Sequence, residues 1–217
     1  MKTRRLAFVL VVLGAHGALI AQPGTPLIGP AFSNGPISIT IVWTPASPRG
    51  ERGFLIYEET EGLVEHAHGG AGSVEVTNLE PETAYRFRVR AYWETGQGFQ
   101  YSSYSAWSES VMTGVSTLGI PEQIAPGHGS IVRPDSLRFS WHAVPQGFGY
   151  RLQALPMETR AVVLDWQATD TTQDVSGFLS PNARYRWRVR AVDSSGIPSR
   201  WSDEWEITLA RIGVSEN

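Results

Sequence analysis

The sequence predicts an all-β chain folded as two tandem β-sandwiches, and three observations predict it. First, Tyr85 to Ala91 reads YRFRVRA and Tyr185 to Ala191 reads YRWRVRA, six identities in seven at an offset of 100. Second, Trp43 matches Trp141 at 98, Leu79 to Pro81 matches Leu179 to Pro181 at 100, and Trp107-Ser108 matches Trp201-Ser202 at 94. Two copies of one unit account for all of these landmarks. Third, apolar and polar residues alternate with period two between turn residues, and no stretch sustains a helical period.

The elements follow in order. In the first copy, Ile37 to Trp43, Phe54 to Glu58, Val74 to Leu79, Tyr85 to Trp93 and Ser105 to Thr113 read as strands. In the second copy, Leu137 to Trp141, Tyr150 to Leu155, Val162 to Gln167, Gln173 to Val175, Tyr185 to Val192 and Glu204 to Leu209 do. Gly114 to Gly119 is the candidate linker, and six residues are too few for free tumbling, so restricted bending is expected. The units are bounded as 22–116 and 117–212, with a tail at 213–217.

Residues 1–21 read as an export signal. Met1 to Arg5 carries the only lysine of the chain with two arginines, and LAFVLVVL follows without a polar side chain. A membrane-spanning helix needs about 20 apolar residues, whereas this run fades by His16, which suits a cleavable signal. Cleavage near Ala21 is expected, with cleavage after Gly17 or retention as an anchor as alternatives. A secreted, periplasmic or cell-surface location follows, with no membrane span after cleavage.

Loss of the leader changes the charge. Taking Lys2, Arg4 and Arg5 from the 18 basic residues leaves 15 against 21 acidic ones, a net charge of about −6, which argues against nucleic-acid binding. Cysteine is absent, which excludes disulfides, thiolate metal sites and cysteine nucleophiles. Stability must therefore come from packed cores, for which eight tryptophans are material.

A tryptophan in the second strand, followed some forty residues later by L-x-P-x-T-x-Y opening a long strand, resembles the fibronectin type III family, an immunoglobulin-like sandwich. Trp43 with Leu79, Pro81, Thr83 and Tyr85 fits fully; Trp141 with Leu179, Pro181 and Tyr185 fits with Ala183 in place of threonine. The resemblance implies that Tyr85 and Tyr185 bury their rings while their hydroxyls bond upstream backbone at the corner between sheets.

Alternation places Arg86, Arg88 and Arg90 together on the outer face, and Arg186, Arg188 and Arg190 likewise. Guanidiniums about 7 Å apart repel one another unless something lies between them. Trp107-Ser108 and Trp201-Ser202 resemble the W-S-x-W-S element of cytokine-receptor fibronectin modules, which implies rings interleaved with these arginines. Tyr104 and Pro198 stand at the first tryptophan's place, so a shorter ladder is expected in the second copy. Glu59, Glu94 and Asp165 are the acids expected to occupy the forks; arginines left over could hold a carboxylated or sulfated glycan.

The segment between Tyr85 and Trp107 is six residues longer than its counterpart, and its loop, Glu94 to Tyr104, reads ETGQGFQYSSY. Trp93, Phe99, Tyr101 and Tyr104 are the candidate ligand-binding residues, since exposed loop aromatics are costly without use. The alternative is that Phe99 and Tyr101 form an extended hairpin covering the sheet or the interdomain joint. Pro48-Arg49-Gly50-Glu51 has glutamate where integrin recognition requires aspartate. His66 and His68 read as a solvated pair in a glycine-bounded mobile loop, without a third metal ligand. No nucleophile elbow, zincin helix or phosphate loop is present, so neither catalysis nor a cofactor or metal is expected. The expected function is an exported, non-enzymatic interaction or spacer protein that binds a protein partner through sandwich loops. A glycan-binding accessory role is the alternative, and docking by strand addition at a proline-free edge is a third.

Overall fold

The computed structural model describes residues 24–46, 50–96, 98–159 and 161–210. The leader with its cleavage site, Pro48 and Arg49, and the tail at 213–217 lie outside the described residues.

In chain order the first sandwich comprises β1 (Leu27–Ser33), β2 (Ile39–Thr44), β3 (Gly53–Glu58), β4 (Gly62–His68), β5 (Ser73–Val76), β6 (Ala84–Tyr85), β7 (Phe87–Thr95), β8 (Gly98–Tyr101) and β9 (Val111–Met112). One sheet has the order β1-β2-β5 and the other β4-β3-β7-β8, with β6 and β9 forming a separate pair. Alternation decides which side chains meet. Ile39, Ile41 and Trp43 of β2 face Phe54 and Ile56 of β3 and Phe87, Val89 and Ala91 of β7, all buried, and the Trp43 ring lies 5.1 Å from Phe54.

The second sandwich comprises β10 (Gln123–Ala125), β11 (Ser130–Val132), β12 (Arg138–Trp141), β13 (Gly149–Pro156), β14 (Leu164–Ala168), β15 (Thr172–Asp174), β16 (Arg184–Val192) and β17 (Trp205–Leu209). Its sheets run β10-β12-β15 and β11-β17-β16-β13-β14, with β11 parallel to β17. Phe139, Trp141, Leu152, Trp187, Val189 and Ile207 form the centre of its core.

The two cores share no residue. Leu118, from the connecting segment, is buried in the second, an anchoring worth roughly 1.5–3 kcal/mol. Among the described residues, no helix is long and apolar enough to cross a membrane.

Four local expectations need correction. Ser105 to Thr113 contributes only β9 as strand, because serine hydrogen bonds recur there every third residue instead of every second. The strand expected from Tyr85 is broken at Arg86, so that Ala84 and Tyr85 pair with β9 while Phe87 onward joins the larger sheet. His66 and His68 lie on β4, not in a loop; Gly62 opens that strand and Gly69 and Gly70 turn the chain after it, so the glycines bound it. Strand β5 stops at Val76, where Asn78 takes a positive φ of 61° and turns the chain into the corner.

At that corner the Tyr85 hydroxyl accepts the Glu80 N–H at 2.8 Å, and the Tyr185 hydroxyl accepts the Ser180 N–H at 3.1 Å. Burial pushes the Tyr85 phenol above its ordinary value.

Candidate functional site

Strand β7 turns Phe87, Val89 and Ala91 into the core and therefore Arg88, Arg90 and Tyr92 outward, with Arg86 just before its first residue. What lies beside them is not an ordinary strand. Residues 101–109 repeat an aromatic-serine pair every three residues: Tyr101-Ser102, Tyr104-Ser105 and Trp107-Ser108. The N–H groups of Ser102, Ser105 and Ser108 donate to the carbonyls of Ala91, Val89 and Phe87 at 2.9, 2.8 and 2.7 Å. Each serine Oγ in turn accepts the N–H of that same β7 residue at 2.9, 2.9 and 3.0 Å. Three residues of this segment thus advance against two of β7, which brings every aromatic ring to the arginine side.

The rings and guanidiniums interleave. Arg90 lies 4.3 Å from the Tyr101 ring and 4.8 Å from Tyr104; Arg88 lies 3.9 Å from Tyr104 and 4.5 Å from Trp107. The Nε atoms of both arginines are buried with no acceptor, as expected of groups covered by ring faces. Each stack contributes about 0.5–2 kcal/mol, enough to stiffen the face. Arg90 Nη2 also donates to the Tyr57 hydroxyl at 2.6 Å, and burial raises the Tyr104 phenol pKa. Leu55, which pairs with Arg90 and which alternation turns to this outer face, is only 7% exposed.

Beyond the ladder, β7 and β8 form a two-strand extension in which Tyr92 pairs with Tyr101 and Glu94 with Phe99. The Tyr92 ring lies 5.8 Å from Phe99 and 6.4 Å from Tyr101. Phe99 is 54% exposed and Tyr101 42%. The structure thus unites Phe99, Tyr101 and Tyr104 on one face. It does not include Trp93, which pairs with Gln100 and by alternation follows Ala91 to the opposite face. Tyr57 and Tyr92 were missed; Tyr92 continues the parity of Arg86, Arg88 and Arg90, a signal readable in the sequence. His66 and His68, opposite Leu55 and Gly53, are exposed on β4, which is a proline-free edge.

The second ladder is shorter, as expected: among the described residues the ring stacked on it is Trp201, 4.5 Å from Arg188 and 4.3 Å from Arg190. Its charges are neutralised differently. Glu204 meets Arg186 at 3.1 Å and Arg188 at 3.5 Å, and Glu80 of the first sandwich meets Arg190 at 2.6 Å. Of the acids expected at the forks, Glu59 reaches Arg86 at 3.6 Å. Glu94 instead pairs with Arg52, and Asp165 with Arg151, because the register sets those arginines nearer. Hydrogen bonding from Arg151 holds the Asp165 carboxyl below its ordinary value.

A cleft of 680 Å³ also lies between the sandwiches, lined by Leu79, Glu80, Phe148, Arg151 and Arg190. Its arginines are already matched, Arg190 by Glu80 and Arg151 by Asp165. The outer face of the first sandwich, with exposed rings and two guanidiniums that meet no carboxylate among the described residues, is the stronger candidate.

Residues 29–106 match the family model described as the fibronectin type III domain. Comparison with curated proteins returns no match. Among solved structures, a crystal structure of the FN1–FN3 domains of chicken CNTN1 is similar at 20% identity and a TM-score of 0.39, covering 88% of this chain and 68% of that one.

Proposed function

We propose that this chain, which carries a fibronectin type III domain at residues 29–106, is an exported, non-enzymatic spacer that offers the outer face of its first sandwich to a protein partner. The observation that carries the reading is the set Tyr92, Phe99, Tyr101 and Tyr104 on one face, in which Tyr92 packs on Phe99 and Tyr101, Arg90 stacks on Tyr101 and Tyr104, and Arg88 stacks on Tyr104. Tyrosine and arginine are enriched among the residues that dominate protein interfaces: tyrosine buries much area with two rotors, and the planar guanidinium of arginine offers several donors and stacks on rings. Here the rings are held in place before any partner arrives, which lowers the entropic cost of binding. The spacer role draws on Leu118 and on the Glu80–Arg190 pair, which tie the connecting segment and the first corner to the second sandwich. Export draws on the basic and apolar leader at 1–21.

The test is capture of partners from an envelope extract by the mature protein and by a Phe99→Ala/Tyr101→Ala variant. A partner retained by the first and lost by the second, with thermal stability unchanged, supports the face. Equal capture by both sinks it. N-terminal sequencing of protein recovered outside the cytoplasm checks the leader, and a chain beginning at Met1 contradicts cleavage.

A further inference from the structure

We infer that Arg88 and Arg90 form the receiving site for a carboxylate presented on a loop of the protein partner. The inference rests on the reading of this face as the binding surface, and names the chemistry that the face selects.

The two ladders are copies of one device with different charge balances. Strand β16 carries Arg186, Arg188 and Arg190 at an offset of 100 from Arg86, which precedes β7, and from Arg88 and Arg90 on it. In the second ladder every guanidinium meets a carboxylate. For Arg190 that carboxylate comes from outside its own sandwich: Glu80 stands in the corner between β5 and β6, and Arg190 Nη1 donates to its Oε2 at 2.6 Å. Arg190 keeps its stack on Trp201 at 4.3 Å while doing so. A guanidinium on this face therefore takes an external carboxylate without leaving its ring.

In the first ladder, among the described residues, only Arg86 meets an acid, Glu59 at 3.6 Å. Among the described residues, no carboxylate lies within ion-pair distance of Arg88 or Arg90, and Arg88 donates no hydrogen bond. Among the described residues, no carboxylate stands at Arg90 as Glu80 stands at Arg190; Arg90 meets only rings and the Tyr57 hydroxyl.

A second copy of this chain does not fill it in the same way. The corner of the second sandwich carries Ser180 and Asn182 where the first carries Glu80 and Glu82. A head-to-tail copy, which would present that second corner, therefore supplies no acid there, and the occupant we name is a loop of a different protein. The precedent within the molecule is a side-chain carboxylate at a sandwich corner, and here the exposed Tyr101 ring stacks on Arg90 with exposed Phe99 on the same face, which favours a protein loop over a sulfated glycan.

The experiment follows the side-chain Nε–Hε resonances of the ¹⁵N-labelled chain during titration with three probes. One is a capped Gly-Glu-Gly-Glu-Gly peptide, whose carboxylates stand about 7 Å apart when extended, matching the arginine spacing. The others are its Gln analogue and a heparin oligosaccharide. The expected result is saturable shifts at Arg88 and Arg90 with the glutamyl peptide, weakening several-fold between about 0.05 and 0.3 M salt. Arg188 and Arg190 are expected to stay still, and the Gln peptide to be silent. Equal shifts at Arg188 and Arg190, no saturation, or a response to heparin alone would overturn the inference. A silent peptide together with partner capture still sensitive to Phe99 and Tyr101 overturns the carboxylate site and leaves the binding face standing. Peptide binding with capture insensitive to those rings supports the carboxylate site and removes the proposed face as the partner's contact.

Discussion

Arg190 and Glu80, 110 residues apart in the chain, meet at 2.6 Å across the joint between the sandwiches. Arg190 is 8% exposed, and burial holds its guanidinium below the ordinary arginine value. Glu80 is held in turn by the Tyr85 hydroxyl at its N–H and by the Thr113 hydroxyl, which donates to its carbonyl at 2.6 Å. The ion pair therefore connects the corner of one sandwich to the ladder of the next.

Replacing Glu80 by Gln leaves the buried Arg190 charge facing an amide. The second sandwich is expected to lose roughly 1–2 kcal/mol, less than a fully buried pair because the Glu80 side chain is 44% exposed. Urea unfolding followed by tryptophan fluorescence measures this, and residual dipolar couplings should show wider interdomain bending. Glu82→Gln is the control: its partner Arg200 is 3.7 Å away and well exposed, so the expected cost is under about 0.5 kcal/mol. Equal costs for the two substitutions would remove the special role of Glu80.

The corner tyrosines separate stability from joint geometry. Tyr85→Phe and Tyr185→Phe each delete one hydroxyl that accepts a backbone N–H, for about 0.5–1.5 kcal/mol. Only Tyr85→Phe frees the backbone that carries Glu80, so only it should also widen the interdomain motion. The alkaline limb adds a check. Burial raises the folded-state pKa of Tyr85 above the unfolded value near 10, so its contribution is complete below about pH 10 and is lost as pH rises through the folded pKa. Tyr85→Phe should flatten stability in that range, and an unchanged slope would contradict the assignment.

The period-three segment has its own signature. Ser105 Oγ accepts the N–H of Val89, which is fully buried. Ser105→Ala strands that donor and is expected to cost roughly 1–3 kcal/mol and to loosen Tyr104 from Arg88. Ser103→Ala, at an exposed position between the repeats, should stay within about 0.5 kcal/mol. Chemical denaturation of the two variants decides whether the serines or merely the aromatic rings hold the segment to β7.

The parts legible in the sequence are those governed by local periodicity. Trp43, Trp141 and the alternating residues of β7 and β16 announce a buried face two residues at a time, and they are buried. Strands β1, β8, β10 and β11 carried no such signal: they are short or lie at sheet edges, where side chains such as Leu27, Phe99 and Ile131 remain exposed. The serine repeat is visible as letters but not as structure, since it runs with period three where strand alternation has period two. The Glu80–Arg190 contact joins different copies of the repeat, beyond any local pattern. Its one trace is that Glu80 and Ser180 differ where the flanking Leu79, Pro81, Leu179 and Pro181 agree.

Gly53 tests how the binding face is assembled. It pairs with Tyr92 on β7 and His68 on β4, and a methyl group built on it would lie 2.8 Å from the Tyr92 ring and 2.5 Å from the Ala67 carbonyl oxygen. The Tyr92 ring occupies the space that a side chain at position 53 would need. Gly53→Ala must therefore displace Tyr92 or part β3 from β4, at an expected cost of about 1–3 kcal/mol. Because Tyr92 contacts both Phe99 and Tyr101, their ring resonances should move while those of Trp43 stay in place. The second sandwich supplies the comparison. Gly149 pairs with Val192 at the matching position, where an added methyl group would lie 3.3 Å from the Ala168 carbonyl oxygen, so a shift of a few tenths of an ångström accommodates it. Gly149→Ala should cost less than Gly53→Ala and leave Phe99 and Tyr101 untouched. If Gly53→Ala left those two rings unmoved, the exposed aromatics would not be a single packed set, and the face would have to be treated as separate residues.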